Sequence, residues 1–437
     1  MPKPNPDKSR LLGWEVFSSV QKGDSYSHIV LPNALRESSL DSRDKAFITE
    51  MVYGALRMQG HADFVLQQIS DRPLESIDGD LLNLLRFSLY QILHMRTPAH
   101  AAVFANVELA RKVIGESKGS FVNALLRKST TRSLEEWLAP SEALEYLPRI
   151  AIQTSHPEWI VSAYFDCLKD EEEVLLALQS NNEPAQPTLV AWPESSTREE
   201  LIGEGGNSTL YSPYGVVASK PPSEYLAIRE KRAGVQDEGS QIVASSFYEA
   251  AKNAHTLIDV CAGPGGKAAL LSHLAEKDKK VFIANEPSHH RAELVRKIVR
   301  GVEVLEEDAR DLTLKSDAIL ADVPCTGIGA LRRRAEVRWR RTPADLKAVI
   351  PLQESIAQRA ISNLNQGGVL GYATCSPHLS ETRGVVETLL RKNPEMEEIQ
   401  VPITIEGAHR DKSMQLWGHR HGTDAMFLAL LRKRGTL

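Results

Sequence analysis

The sequence predicts a multidomain chain, with an all-α bundle at the N-terminus followed by an α/β region built on a doubly wound sheet. Three observations predict this. Apolar residues recur at helical spacing over residues 10–128, with no alternating strand among them. From Leu257 onward, short apolar runs alternate with helical stretches, the pattern of a mostly parallel sheet. The 437 residues exceed the roughly 100–200 of a single domain.

Leu11, Leu12, Val16, Phe17 and Val20 mark the first helix, and Phe47, Met51, Val52 and Leu56 a later one. Leu81 to Leu93 is dense enough in leucine for a helix buried on most sides. Val103 to Ala110 and Phe121 to Leu126 continue the pattern, so residues 1–130 are expected to form a helical domain. Residues 131–184 read as an acidic helical connector, with Pro157 opening a helix. Residues 185–235 read as a small α/β subdomain, with strands expected at Thr188–Trp192, Val216–Ala218 and Tyr225–Ile228. The last domain, 236–437, begins its sheet at Leu257–Val260. Further strands are expected at Val281–Ala284, Val302–Leu305, Ala318–Ala321 and Val369–Tyr372, with helices near 268–274, 288–300 and 343–364.

The composition, 42% hydrophobic and 25% charged, is that of a globular protein and excludes a largely disordered or collagen-like chain. No apolar run reaches the roughly 18 residues of a membrane span. Met1–Pro6 lacks an apolar core, so no secretory signal is expected. Four cysteines are too few for a disulfide scaffold, and a reducing, cytoplasmic setting follows. The net charge of −5 argues mildly against a nucleic-acid partner until it is resolved along the chain. Residues 131–180 hold −7 and all other residues together +2.

Asp259-Val260-Cys261-Ala262-Gly263-Pro264-Gly265-Gly266-Lys267 lies between the first strand and its helix. A phosphate P-loop would need Gly where Cys261 stands and Ser or Thr where Ala268 stands. A dinucleotide GxGxxA pattern fits Gly263, Gly265 and Ala268, though weakly. A nucleoside cofactor without pyrophosphate, such as S-adenosylmethionine, also fits, since glycines let the backbone approach it closely. Glu286 and Asp308 follow the next two strands. Singly each reads as a surface carboxylate; at consecutive strand ends they suit ribose and adenine.

Asp322-Val323-Pro324-Cys325-Thr326-Gly327 and Thr374-Cys375-Ser376-Pro377 each follow a strand. If those strands are neighbours, both sulfurs face the ligand crevice at the carboxyl ends of the sheet. Lone cysteines are usually small core residues, which suits Cys167 and Cys261 better than these two. No spacing suggests zinc, and no metal is expected. Two thiols and an acid beside a cofactor suit C5 methylation of cytosine. A thiolate adding to C6 makes C5 nucleophilic, an acid at the N3 edge stabilises the adduct, and a second thiol takes the C5 proton. A thiol at its ordinary pKa of about 8.5 is mostly protonated at neutral pH, so the nucleophile's pKa is expected to be depressed.

On these motifs the chain resembles the RNA cytosine-C5 methyltransferases, and within them the RsmB (Sun/Fmu) family acting on 16S ribosomal RNA. The resemblance covers nearly the whole chain. It implies a NusB-like RNA-binding domain over 1–130, an RNA-binding role for 185–235, and a Rossmann-like methyltransferase domain over 236–437. Val235-Gln236-Asp237-Glu238-Gly239-Ser240-Gln241 resembles the family's entry into that domain. The resemblance further implies Cys375 as nucleophile, Cys325 as assistant to release, and Asp322 and Lys267 at the cytosine. It implies S-adenosylmethionine bound by Asp259 and the loop Cys261, Ala262, Gly263, Pro264, Gly265, Gly266 and Lys267, with Glu286, Arg291, Asp308 and Asp322 completing the site. Ribosomal RNA would be the partner, no membrane or metal is implied, and nothing demands more than a monomer. The chain departs from the family pattern in carrying Glu286 for Asp, Gly263 and Ala268 for Ala and Thr, Ala335 for Pro and Ala425 for Gly.

Residues 332–341 carry six Arg and one Glu, with Trp339 among them. Arg332, Arg333, Arg334, Arg338 and Trp339 are therefore candidates for RNA phosphate contacts and base stacking. A solvated basic helix start is the plainer reading. Three other functions stay open on the residues alone: the same chemistry on another RNA such as tRNA, an NAD-dependent oxidoreductase, and a non-catalytic RNA-binding assembly factor.

Overall fold

The computed structural model describes residues 7–23, 25–299 and 301–435. They form two compact units. The first takes the chain up to Phe165, then Asp170–Asn182 and Leu331–Arg340; the second takes Asp166–Lys169, Glu183–Ala330 and the chain from Arg341.

The first unit is helical. Helices Lys8–Gln21, Ser42–Arg57, Gly79–His94 and Ala99–Val113 bury Phe17, Ile48, Leu84, Phe87 and Leu109 in one core. Aspartates start several of them: Asp41 and Asp78 accept backbone N–H bonds from Asp44 and Leu81. Each satisfies a donor that the helix cannot. The acidic run has a local cause as well. Asp170 caps helix Glu171–Ser180, and Glu171 to Glu173 fill its first turn. Carboxylates there meet the positive end of the helix dipole.

Leu331–Arg340 belongs to this helical unit, although the sequence assigns it to the C-terminal domain. Ala335 is buried in the helical core. The Arg338 side chain is fully buried and donates to the carbonyls of Ser155 and Asn181 and to Asn182 Oδ1, at 3.0, 3.1 and 2.7 Å. Trp339 Nε1 donates to Leu56 O at 2.7 Å, and Glu336 accepts from Ser27 N–H and Oγ. Arg338 is thus a structural pin rather than a phosphate ligand. The Trp339 indole N–H is likewise held within the fold. Arg333 is exposed.

In the second unit, β1 (Thr188–Ala191), β2 (Asn207–Ser208), β3 (Gly215–Val217) and β4 (Ala233–Val235) form an antiparallel sheet in the order β2-β3-β1-β4. The strand expected at Tyr225–Ile228 is instead the short helix Leu226–Arg229. Pro221 and Pro222 start a tight turn before it, and Glu204 caps the Leu226 N–H at 2.8 Å.

The larger sheet comprises β5 (Thr256–Asp259), β6 (Val281–Asn285), β7 (Glu303–Leu305), β8 (Ser316–Asp322), β9 (Leu364–Thr374), β10 (Met396–Ile399), β11 (His409–Arg410), β12 (Ser413–Gln415) and β13 (Phe427–Lys433). Strands β7-β6-β5-β8-β9 are parallel. β13 lies antiparallel to β9, and its far edge pairs with both β10 and β12. The sheet is mixed, not wholly parallel, with its reversed strands gathered at one edge. Leu257, Leu320 and Ala373 face one apolar core, and Ile258, Ile319 and Tyr372 the other. The strands are buried on both faces, which is why they read as continuous apolar runs.

Candidate active site

The chain runs from β5 to β6 on one side and later returns to β8 on the other. A crevice therefore opens at the carboxyl end of β5, where the strand order reverses. The glycine loop crosses this point. Val260 N–H bonds Leu320 O and Ala262 N–H bonds Asn285 O, so the loop continues the pairing on both sides. Buried Asn285 then ties the loop to the next strand end, donating to Val260 O and Glu307 O and accepting from Glu307 N–H.

Glu286 follows β6 and is buried. Its carboxylate accepts the Ser288 N–H at 3.0 Å and pairs with Arg291 at 3.4 Å. Arg291 also donates to Gly263 O. A Cβ on Gly263 would sit only 2.1 Å from Glu286 Oε2. The Glu286 side chain therefore occupies the space that a methyl at position 263 would need. Asp308 follows β7 and is held by Arg310 through two oxygens. Those bonds push its carboxyl down to about 2. Asp259, at the end of β5, is buried and accepts the Cys261 N–H at 3.1 Å. Burial first, and then the charge of Asp322, raise it to about 7. The Cys261 thiol is raised well above its usual range by burial and the surrounding acids.

Lys267 reaches from the first turn of helix Gly266–Lys277 to Asp322 Oδ2 at 2.8 Å and Ser240 Oγ at 3.3 Å. Burial alone would lower its ammonium, yet Asp322 and the nearby Cys375 hold it above the ordinary lysine value. β8 and β9 are neighbours, with Asp322 beside Ala373 in register. Cys325 and Cys375 leave the two strands together, and their sulfurs lie 3.2 Å apart. Both are free thiols, well beyond the ~2.05 Å of a disulfide. The hydrogen bond with Cys375, and then burial, push the Cys325 thiol well above its usual range.

Sequence reasoning missed what holds these loops. Glu381 is fully buried and accepts four bonds. Its Oε1 takes the Thr326 N–H at 2.7 Å and Gln353 Nε2 at 3.1 Å, and its Oε2 takes Thr326 Oγ1 at 2.5 Å and Ser376 Oγ at 2.6 Å. Thr326 and Ser376 each follow one of the cysteines, so a single carboxylate fastens both loops. Gly329 adds a backbone brace: its N–H bonds Cys375 O at 2.9 Å, and a Cβ there would meet Ala425 O at 2.2 Å. The only sequence signal for Glu381 was an acid six residues after the cysteine.

Two family profiles match, 16S rRNA methyltransferase RsmB/F over residues 248–432 and NusB over residues 7–131. A putative methyltransferase of Mycobacterium tuberculosis is 41% identical over 98% of this chain and 97% of its own length. The chain belongs to the RsmB/F methyltransferase family. A probable ribosomal RNA small subunit methyltransferase B of Bacillus subtilis is 27% identical over 98% of this chain and 99% of its own. Among solved structures, PH0851 shares the fold with a TM-score of 0.80 at 21% identity, over 98% of this chain and 100% of that one. NSun6 from Pyrococcus horikoshii shares it at 0.57 and 22% identity, over 64% of this chain and 99% of that one.

As an RsmB/F methyltransferase the chain uses S-adenosylmethionine, and the crevice has the features such a ligand needs. The Gly263 backbone, the buried Glu286 carboxylate and the tied glycine loop meet at the switch point. No described helix is long and apolar enough to cross a membrane.

Proposed function

We propose that the chain methylates C5 of a cytosine in 16S ribosomal RNA through a covalent adduct on Cys375. The observation that carries this reading is the pair of free sulfurs 3.2 Å apart at two neighbouring strand ends, beside the Lys267–Asp322 pair. S-adenosylmethionine supplies the methyl group. Glu286, Arg291, Asp308 and the loop from Asp259 to Lys267 are the residues to hold it.

In this reading the Cys375 thiolate attacks C6 of the unstacked base, forming an S–C bond and moving electron density to C5. Lys267, held by Asp322 at the N3 edge, brings its ammonium to the negative charge that develops on the base. C5 takes the methyl group. Cys325 starts protonated, because its neighbour carries the negative charge. Once the Cys375 sulfur is bonded to carbon that cause is gone, and the Cys325 proton can leave to solvent. Its thiolate then accepts the C5 proton as the S–C6 bond breaks, restoring the aromatic base and the Cys375 thiolate. A target in a loop or bulge is favoured, since the base must leave its stack. Arg332, Arg333 and Arg334 remain the residues of the arginine run suited to RNA phosphates.

Support for ribosomal RNA comes from the relatives' described substrate and the NusB-type helical unit. The test is methyl transfer from labelled S-adenosylmethionine to deproteinised small-subunit rRNA, followed by nucleoside analysis. 5-Methylcytidine is expected; label in any other nucleoside, or in tRNA alone, would overturn the reading.

A further inference from the structure

A cavity of about 370 Å³ in the second unit plays no part in the chemistry above. The small sheet and the glycine loop both line it, and it opens to solvent. Trp192 and the Gln236 side chain line it and are buried. Neither the nitrogen nor the oxygen of the Gln236 amide has a hydrogen-bond partner, and the Trp192 indole nitrogen has none either. Buried polar side chains are rarely left unpaired in native proteins, so three such atoms just behind the wall of one cavity point to a ligand that draws them out and pairs them.

The Gln236 backbone is fixed on both sides. Its N–H donates to Thr188 O at 2.9 Å, and its carbonyl accepts from Gln241 Nε2 at 2.9 Å. The amide is therefore presented from a rigid base. Ile298 and Val235 supply apolar walls, Val235 being 57% exposed at the rim. Lys231 and Lys297 also line the cavity, and both are exposed.

Apolar walls, an amide that offers donor and acceptor together, an indole N–H and two cations suit one chemical class. That class is a nucleotide, its base edge paired by the glutamine and its phosphate met by lysine. The cavity is also lined by Pro264 and Gly266, in the loop that carries Lys267 to Asp322. We propose that the cavity receives a second nucleotide of the RNA, close in sequence to the target cytosine, with Gln236 and Trp192 reading its base. This rests on the RNA-methylation reading and adds a specificity-determining site to it.

The test follows the Trp192 indole N–H by heteronuclear NMR in the full chain, with S-adenosylmethionine at saturation. The probes are the nucleoside monophosphates of adenine, guanine, cytosine and uracil. At least one should move the Trp192 resonance, and Gln236→Leu should weaken that nucleotide about tenfold. No movement with any nucleotide would overturn the proposal. So would a shift caused by S-adenosylmethionine alone that nucleotides then compete against, because the cavity would belong to the cofactor. A second arm measures methylation of an RNA oligonucleotide carrying an abasic site at each position flanking the target in turn. One position should raise KM about tenfold in the wild type and leave Gln236→Leu unmoved. Equal sensitivity of both proteins at every position would contradict the proposal. If the wild type methylates no RNA, the reading of the function fails, and the nucleotide titration still decides the cavity.

Discussion

Replacing Glu381 by Ala would leave the Thr326 N–H, Thr326 Oγ1, Ser376 Oγ and Gln353 Nε2 buried without their acceptor. Each unpaired buried group costs about 1–3 kcal/mol. The loops carrying Cys325 and Cys375 would then lose their common anchor. We expect Glu381→Ala to lower kcat by about 100-fold, with a smaller change in KM, because displacing reacting groups by an ångström costs about that much. Steady-state kinetics check this, and an unchanged kcat would refute the anchoring role. Asp259 gives a pH-dependent expectation. Its carboxyl is raised to about 7 in the fold, against an ordinary unfolded value of about 3.9. The folded state therefore binds the proton more tightly, and the associated stability is present at low pH and lost as pH rises to about 7. Asp259→Asn keeps the acceptor for Cys261 and has no such loss. Its Tm should exceed that of the wild type by a margin that grows between pH 5 and about 7, reflecting a stability difference on the order of a few kcal/mol at most. Gly263 and Glu286 form the third case. Gly263→Ala alone should weaken S-adenosylmethionine about tenfold, and Glu286→Asp in the same chain should restore part of it. Calorimetric titration of both variants measures the coupling, and strictly additive effects would refute it.

At the scale of elements, the segment Leu331–Arg340 shows how composition can mislead. Five arginines in these ten residues read as a field for phosphate, yet Arg338 is buried and hydrogen-bonded to main-chain carbonyls of the helical unit. We expect Arg338→Ala to lower the stability of that unit by several kcal/mol, as removal of a buried hydrogen-bonded charge does. Arg333→Ala should leave Tm unchanged and only weaken RNA, with a shallower salt dependence. Thermal unfolding and filter binding separate the two, and a loss of stability in Arg333→Ala would contradict the assignment. The alternation of strands and helices was legible because β5, β6, β8 and β9 are buried on both faces. Strands β10, β11 and β12 were not, since they are short or polar and pair outward from β13; β13 is a short apolar run, which periodicity alone does not tell from a buried helix. Tyr225–Ile228 was misread because two apolar positions at a spacing of two or three residues fit a single helical turn as well as a strand. The two cysteine loops were legible from their Pro, Gly and polar neighbours. Glu381, Asn285 and the Gln236 cavity were not, because their roles arise from contacts between distant parts of the chain.

For the whole molecule, the overall charge of −5 carries little information about partners. The acidic excess is concentrated where Glu171, Glu172 and Glu173 begin a helix, and there it stabilises that helix. What the molecule does depends on a few atoms at the strand ends, and the account rests on Cys375 forming the bond to the base while Cys325 keeps its proton until that bond exists. Trapping tests this most directly. Cys325→Ala and Cys375→Ala are incubated with substrate RNA and S-adenosylmethionine, denatured, and resolved for protein linked to RNA. The account predicts a stable covalent adduct with Cys325→Ala, because release is blocked, and none with Cys375→Ala. Adducts of equal yield in both variants, or an adduct in Cys375→Ala alone, would contradict it.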